Sequence, residues 1–268
     1  PRVGVVTNHQ GKALVDTAFF QAAQLPTVEV TGGCFCCHYD DLAARLEQLN
    51  ETARPDVIFA ESVGSCADLV ATVVKPLQVF NPAFTPSSFS VFADSRLLRR
   101  RLMNEPLPFS DEVMYIFDQQ IEEAGLLVVN KVDLLAEPAL DELRDLVARR
   151  WPGRAALFHS ALAGPDLAHA SDLTGFQKPV RSFAGFFAGI EDWLALIESG
   201  AAPAPQALPH MDYPRYGAAE ARLAWMDMGI TLSVRDGEGR GALLRLLEGT
   251  RAGLKARGAG LRHTKAIT

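Results

Sequence analysis

The stretch "LLVVNKVDLL", residues 126–135, decides the fold, because a short apolar run passes there directly into polar residues. Such a run between two helical patterns predicts a strand that is buried on both faces. The helical patterns span 110–125, with Ser110 as N-cap and Gly125 at the end, and 138–151. The polar residues therefore follow the carboxyl end of a buried strand, which is where α/β sheets bind ligands.

The same alternation of strands and helices extends over the first two-thirds of the chain. Strands are predicted at 2–8, 27–33, 56–62, 78–84, 90–94 and 155–161. Helices are predicted at 40–51, capped by Asp40 or Asp41, and at 67–77, ending at Pro76. Apolar strands between helices of about a dozen residues predict an α/β fold, a parallel sheet covered by helices on both faces.

The pattern changes after about residue 164. A helix is predicted at 183–200, followed by a Pro/Ala linker at 201–209, a strand at 221–234 and a helix at 242–257. We therefore expect two domains, a large one at 1–190 and a small C-terminal α+β domain at 210–268.

Composition excludes several classes of protein. The 268 residues are 48% hydrophobic and 22% charged, with a net charge of −6 and no long basic run, so nucleic acid is not an expected partner. No apolar stretch approaches the roughly 18 residues that span a bilayer, so no membrane partner is expected either. With four cysteines, three of them clustered, a disulfide framework is not expected, and the composition favours a reducing cytoplasm.

The motif "NKVD", residues 130–133, has the donors and acceptors to recognise a guanine base. The Asp133 carboxylate can accept hydrogen bonds from N1–H and from the exocyclic amine, which adenine does not offer in this pattern. Asn130 would hold the neighbouring loop, and the stem of Lys131 would cover the face of the base. The turn formed by Ser160 and Ala161 can offer N–H groups to the guanine carbonyl. The alternative is a solvated loop with an asparagine cap.

The stretch "DVIFAESVG", residues 56–64, has an apolar run that ends in an acid, with a glycine three residues further on. Glu61 could hold Mg²⁺ through water or position an attacking water, and the Gly64 N–H could contact a γ-phosphate. The alternative is a strand-end acid that caps the next helix.

Three of the four cysteines, Cys34, Cys36 and Cys37, lie within four positions. Thiolates are soft ligands that suit Zn²⁺. Three sulfurs leave a zinc shell incomplete, which favours an ion that can leave, and His38 is the nearest extra ligand. Redox chemistry or buried structural cysteines are the alternatives, and the lone Cys66 is expected to be a small buried residue.

The order of these motifs resembles that of the CobW-type metallochaperone GTPases. Glu61 stands where most GTPases carry Asp, which is typical of that family, and "VTNHQGKALVDT", residues 6–17, resembles its switch segment. The resemblance assigns the switch positions to Asn8, Gly11 and Asp16, with His9 where the family usually has an acid. It covers about 1–165 well and 210–268 more weakly.

This resemblance implies a P-loop NTPase-type fold, binding of GTP and GDP with Mg²⁺, and delivery of Zn²⁺ or Co²⁺ to a client metalloprotein on GTP hydrolysis. A homodimer is allowed by the sequence but not indicated by it. No G-x-x-x-x-G-K-[ST] motif occurs in the chain, and we attribute this to truncation of the first strand and Walker A loop, so that GTP should bind poorly. The rival hypotheses are a metal sensor or storage module without turnover, and a thiol redox protein.

Overall fold

The computed structural model describes residues 1–11, 15–161, 190–223, 230–231, 233–235 and 237–258. Contacts between residues divide the chain into two units. The first unit consists of Pro1–Gly64 together with Ala224–Thr268, and the second consists of Ser65–Leu223. Each unit contains a parallel three-stranded sheet.

The sheet of the first unit has its first strand in the centre. In chain order, the elements are β1 (Val3–His9), α1 (Val15–Ala22), β2 (Thr27–Thr31), α2 (Tyr39–Ala53) and β3 (Val57–Glu61). The strand order is β2-β1-β3, and both pairings are parallel. β1 pairs on both edges, and its central residues are buried. Its register places Asn8 beside Val30 and Thr7 beside Glu61.

The second unit also has a parallel three-stranded sheet, but its strands lie in chain order. After a short π-helix (Val70–Val74), its elements are α3 (Lys75–Phe80), β4 (Ser90–Asp94), α4 (Ser95–Leu102), α5 (Asp111–Glu123), β5 (Leu126–Asn130), a 3₁₀ turn (Val132–Leu134), α6 (Glu137–Arg150) and β6 (Ala156–Phe158). The strand order is β4-β5-β6, and both pairings are parallel.

The apolar run of β5 is buried as predicted. Leu126, Leu127, Val128 and Val129 each have 0% exposure, and the core around them includes residues of α4, α5 and α6. The α/β fold class with parallel strands is therefore confirmed.

Two sequence predictions around Pro76 are wrong. The helical stretch does not end at this proline, because a π-helical turn precedes it and α3 continues to Phe80. The N–H of Lys75 bonds to the Val70 carbonyl in the wider π-helical pattern, and the helix passes Pro76 there. The predicted strand at 78–84 does not form either. Its first three residues complete α3, and Asn81 and Phe84 are joined by a turn hydrogen bond of 3.0 Å.

The predicted cap of α2 is also wrong. His38 is the N-cap residue and makes no side-chain capping hydrogen bond, while Asp40 and Asp41 lie in the first helical turn. There the two carboxylates still favour the helix, because they face the positive end of its dipole.

The C-terminal part contains three described helices, α7 (Ile190–Glu198), α8 (Tyr213–Glu220) and α9 (Gly239–Ala256). The rest of the helix predicted at 183–200 lies largely outside the described residues. Of the strand predicted at 221–234, the described residues are not in a strand, and the others lie outside the described part of the chain. The domain division at 190 and 210 stays a prediction. None of the helices in the described ranges is long and apolar enough to cross a membrane.

Candidate metal and nucleotide sites

The cysteine cluster lies in one turn between β2 and α2. The Cys34 carbonyl accepts hydrogen bonds from the N–H of Cys37 at 3.1 Å and from the N–H of His38 at 3.0 Å. This turn brings the three cysteine sulfurs within 4.8 Å of one another, and Cys36 Sγ lies 4.0 Å from Cys37 Sγ. All four cysteines of the chain are thiols, and Cys37 is the exposed one in the cluster.

The spacing of these sulfurs fits a tetrahedral metal ion. With Zn–S bonds of about 2.3 Å, two sulfurs on one tetrahedral zinc lie about 3.8 Å apart. The distance between the sulfurs of Cys36 and Cys37, 4.0 Å, is close to that value. Among the described residues, no histidine nitrogen or carboxylate oxygen joins the three-sulfur group. The cluster therefore supplies three soft ligands and leaves a fourth position open.

His38 packs against Gly33 instead of joining the three-sulfur group. A Cβ atom at position 33 would lie 2.1 Å from Cε1 of the imidazole, so that only glycine leaves room for the ring. His38 Nδ1 is buried and has no hydrogen-bond partner among the described residues. The second glycine of the "GGC" sequence thus leaves room for this position of the ring.

Asn8 connects the end of β1 with two loops of the first unit. Its Nδ2 donates to the Val30 carbonyl at 3.1 Å and to the Gly33 carbonyl at 2.7 Å. Its Oδ1 accepts from the N–H of Phe35 at 2.9 Å and from that of Val63 at 3.4 Å. The residue is 9% exposed. All four hydrogen bonds that a carboxamide usually makes are therefore present.

Glu61 and Gly64 lie at and beyond the carboxyl end of β3, and both are exposed. A Cβ atom at Gly64 would meet nothing within 4 Å, and Gly64 has no positive φ. Neither packing nor backbone conformation within the described residues requires glycine at this position.

The remaining switch positions follow β1. The N–H of Gly11 donates to Nδ1 of His9 at 2.8 Å. Asp16 lies in the first turn of α1. The hydroxyls of Thr7 and Thr17, 2.7 Å apart, join β1 to the same helix.

In the second unit, the "NKVD" loop is held against the turn after β6. Asn130 Oδ1 accepts from the N–H of Lys131 at 2.7 Å and from the N–H of Ala161 at 3.2 Å. The hydroxyl of Ser160 donates to Asp133 Oδ1 at 2.6 Å. The two segments that the sequence assigned to a guanine site thus lie together, and a side-chain hydrogen bond orients the Asp133 carboxylate.

A further pair of residues holds this loop and was missed by the sequence analysis. Asp94 Oδ2 lies 3.2 Å from Lys131 Nζ, and Ser95 Oγ donates to the Lys131 carbonyl at 2.9 Å. Burial raises the pKa of Asp94, but hydrogen bonds from Arg96 and Lys131 outweigh it and hold that pKa below its ordinary value. The available signal was an acid at the end of a predicted strand, next to the "NKVD" strand in a parallel sheet.

Cys66, in contrast, is buried with 3% exposure and lies in the second unit. Its carbonyl accepts a hydrogen bond of 2.8 Å from Gln120. This burial agrees with the structural role expected for a lone cysteine.

A family model described as the CobW/HypB/UreG nucleotide-binding domain matches residues 1–158. This match covers more than half of the sequence, and the chain belongs to this family. One relative is the zinc chaperone CobW of a Sinorhizobium species, which is 28% identical over 176 residues. The aligned part is 56% of this chain and 48% of the relative, so the chain spans about half the length of that protein.

Proposed function

We propose that this protein is a GTP-dependent metallochaperone that carries Zn²⁺ as cargo on Cys34, Cys36 and Cys37. The observation that carries the proposal is the cluster of three sulfurs within 4.8 Å of one another. A closed structural zinc site uses four protein ligands, whereas three leave a position through which the ion can be exchanged. The similarity to a zinc chaperone supports zinc as the cargo, and Co²⁺ accepts the same ligands.

GTP is the nucleotide that the chemistry of the second unit favours. The Asp133 carboxylate, oriented by Ser160, can accept from the two adjacent donors of guanine. Asn130 ties the turn at Ala161 to the loop, and the Lys131 stem can lie over the base. These contacts fit the nucleotide-binding family to which the chain belongs.

Glu61 and Gly64 would act on the phosphates. Glu61 is exposed at the end of β3, where it can hold Mg²⁺ through a water or orient the attacking water. The open space around Gly64 would let a γ-phosphate approach its N–H closely. Asn8, Gly11 and Asp16 would form the segment that responds to the γ-phosphate.

Hydrolysis would then be linked to metal release. In the GTP state, the switch segment and the cysteine turn would hold the ion, and in the GDP state they would loosen and pass it to a client metalloprotein. A ligand can shift such an equilibrium only by binding the two states with different affinity. The proposal therefore requires that GTP and GDP states differ in their affinity for Zn²⁺.

The proposal is tested by titrating the reduced chain with Zn²⁺ against a chromophoric chelator. We expect one tight equivalent, which the variant Cys36→Ser/Cys37→Ser loses. Cys66→Ala is the matched control, since Cys66 lies outside the cluster, and it should bind Zn²⁺ as the unmodified chain does. Zinc binding that survives loss of both sulfurs would refute the metal site.

Repeating this titration at saturating GDP and at a saturating concentration of a non-hydrolysable GTP analogue separates a carrier from a storage module. A carrier should bind Zn²⁺ more tightly with the GTP analogue, and a storage module should show no difference. By reciprocity, Zn²⁺ should raise the affinity for the GTP analogue by the same factor.

A further inference from the structure

The side chain of Asn8 is placed to connect the cysteine turn with the Glu61–Gly64 loop. It belongs to the central strand β1, and the two loops follow the neighbouring strands β2 and β3. Gly33 and Phe35 flank Cys34, and Val63 lies between Glu61 and Gly64. One planar, buried carboxamide therefore bonds to the backbone of both loops.

The two loops share a single acceptor atom of Asn8. The N–H groups of Phe35 and Val63 both donate to the same oxygen, Asn8 Oδ1, at 2.9 and 3.4 Å. The Gly33 and Val30 carbonyls fix the opposite edge of the amide through Nδ2. A shift of the cysteine turn at Gly33 and Phe35 must then either break these bonds or rotate the amide, which changes its bond to Val63.

We infer that Asn8 is a positioning residue that transmits changes of the cysteine turn to the Glu61–Gly64 loop. This inference rests on the proposed function for its role, since it would provide the link between metal binding and the phosphate-sensing loop. The connection itself is a property of the first unit alone and needs neither nucleotide nor the second unit.

The first test measures amide hydrogen exchange by NMR on the metal-free chain. Asn8→Ala removes the shared acceptor, so exchange at Phe35 should become about five-fold faster, since a hydrogen bond contributes about 1 kcal/mol. At Val63, where the bond is longer, we expect about two-fold. Unchanged exchange at either amide in Asn8→Ala would overturn the inference.

The matched control is Thr7→Val, which removes a buried hydrogen bond from the adjacent position of β1. Thr7 bonds to Thr17 and to the Val28 carbonyl and touches neither loop through its hydroxyl. It should leave exchange at Phe35 and Val63 unchanged. If Thr7→Val speeds amide exchange at Phe35 and Val63 as much as Asn8→Ala does, the effect of Asn8→Ala reflects a general loss of stability, and the inference fails.

The second test adds Zn²⁺ as the probe. In the unmodified chain, Zn²⁺ should slow exchange at Phe35 and also at Val63 and Gly64. In Asn8→Ala, the effect should remain at Phe35 and be lost at Val63 and Gly64. Retention of the distant effect in Asn8→Ala would contradict transmission through Asn8. If Zn²⁺ does not bind the unmodified chain, the proposed function fails, while the metal-free test still decides whether Asn8 connects the loops.

Discussion

At the scale of single residues, the structure orients the Asp133 carboxylate through the hydroxyl of Ser160, 2.6 Å away. This hydrogen bond restricts the rotation of the carboxylate. A carboxylate that is fixed before the ligand arrives loses less conformational freedom on binding. In the proposed guanine site, base specificity should therefore depend on both residues.

The variant Asp133→Asn should change this specificity. Xanthine carries a carbonyl where guanine carries the exocyclic amine, so an asparagine N–H can pair where the carboxylate could not. Guanine nucleotides should bind about 10- to 100-fold more weakly, given about 1.5–3 kcal/mol for a hydrogen bond to a charged group. Competition between fluorescent GDP and XDP measures the change.

Asp141→Asn is the control for this substitution, since Asp141 lies on α6 and pairs with Arg144. It should leave the preference for GDP unchanged. If Asp133→Asn still prefers GDP over XDP, Asp133 does not read the base.

Gly64→Ala should lower GTP hydrolysis without lowering the free energy of unfolding. A methyl group at Gly64 meets open space, so the free energy of unfolding should stay the same or rise by up to about 1 kcal/mol. The approach of a γ-phosphate to the N–H would be hindered, so GTP hydrolysis should fall. Urea unfolding and phosphate release measure the two effects.

The contrasting variant is Gly33→Ala, whose Cβ would overlap the His38 ring. It should lower the free energy of unfolding because the imidazole must leave its place. A Gly64→Ala variant as unstable as Gly33→Ala would show that Gly64 serves folding instead of phosphate binding.

At the scale of elements, α5 holds the start of the π-helix through a buried acid. Glu123 is fully buried, and its Oε1 accepts from the N–H of Val70 at 2.8 Å. Oε2 has no hydrogen-bond partner among the described residues. Burial raises the pKa of Glu123 above its ordinary value, although the bond from Val70 opposes the shift.

This raised pKa predicts a pH dependence of stability. Between the unfolded pKa of about 4.3 and the raised folded pKa, the unfolded chain gives up the proton while the folded chain keeps it. The contribution of Glu123 to stability is therefore fully present below pH 4.3 and is lost as pH rises through the folded pKa. Glu123→Gln should lack this loss, so its stability relative to the unmodified chain should increase with pH.

Urea unfolding of both proteins between pH 4.5 and pH 7.5 measures this difference. A difference between the two proteins that stays constant with pH would contradict the effect of burial.

Helices and strands with a clear cap, periodicity or apolar run could be predicted from the sequence, and those without such a signal could not. α5 was predicted from its cap and periodicity, and β5 from its continuous apolar run. The stretch 78–84 was mistaken for a strand because a short apolar run does not distinguish strand from helix. In the structure, Val79 and Phe80 are 69% and 72% exposed, so these apolar side chains do not mark a buried strand.

The residues of the candidate sites also divide into those that could be predicted from the sequence and those that could not. The cysteines and the "NKVD" loop could be found because the residues of each motif lie close together in the sequence. The bonds from Asn8 to Val63 and from Asp94 to Lys131 join residues 55 and 37 positions apart. Such pairs depend on which strands are neighbours and in which register, and local sequence patterns do not show this.

At the scale of the whole molecule, the proposed chemistry is divided between the two units. The first unit carries the cysteine turn, Asn8 and the Glu61–Gly64 loop, and the second carries the "NKVD" loop. Metal binding should therefore require only the first unit, whereas recognition of the base should require the second. The three-sulfur cluster carries the proposed metal delivery.

The most direct measurement is zinc K-edge X-ray absorption on the reduced chain loaded with one equivalent of Zn²⁺. We expect three sulfur ligands at about 2.3 Å and one lighter ligand at about 2.0 Å. Cys36→Ser/Cys37→Ser should not retain the ion, so its spectrum should show no sulfur shell. A zinc shell without sulfur in the unmodified chain, or the same sulfur shell in that variant, would contradict the proposed site.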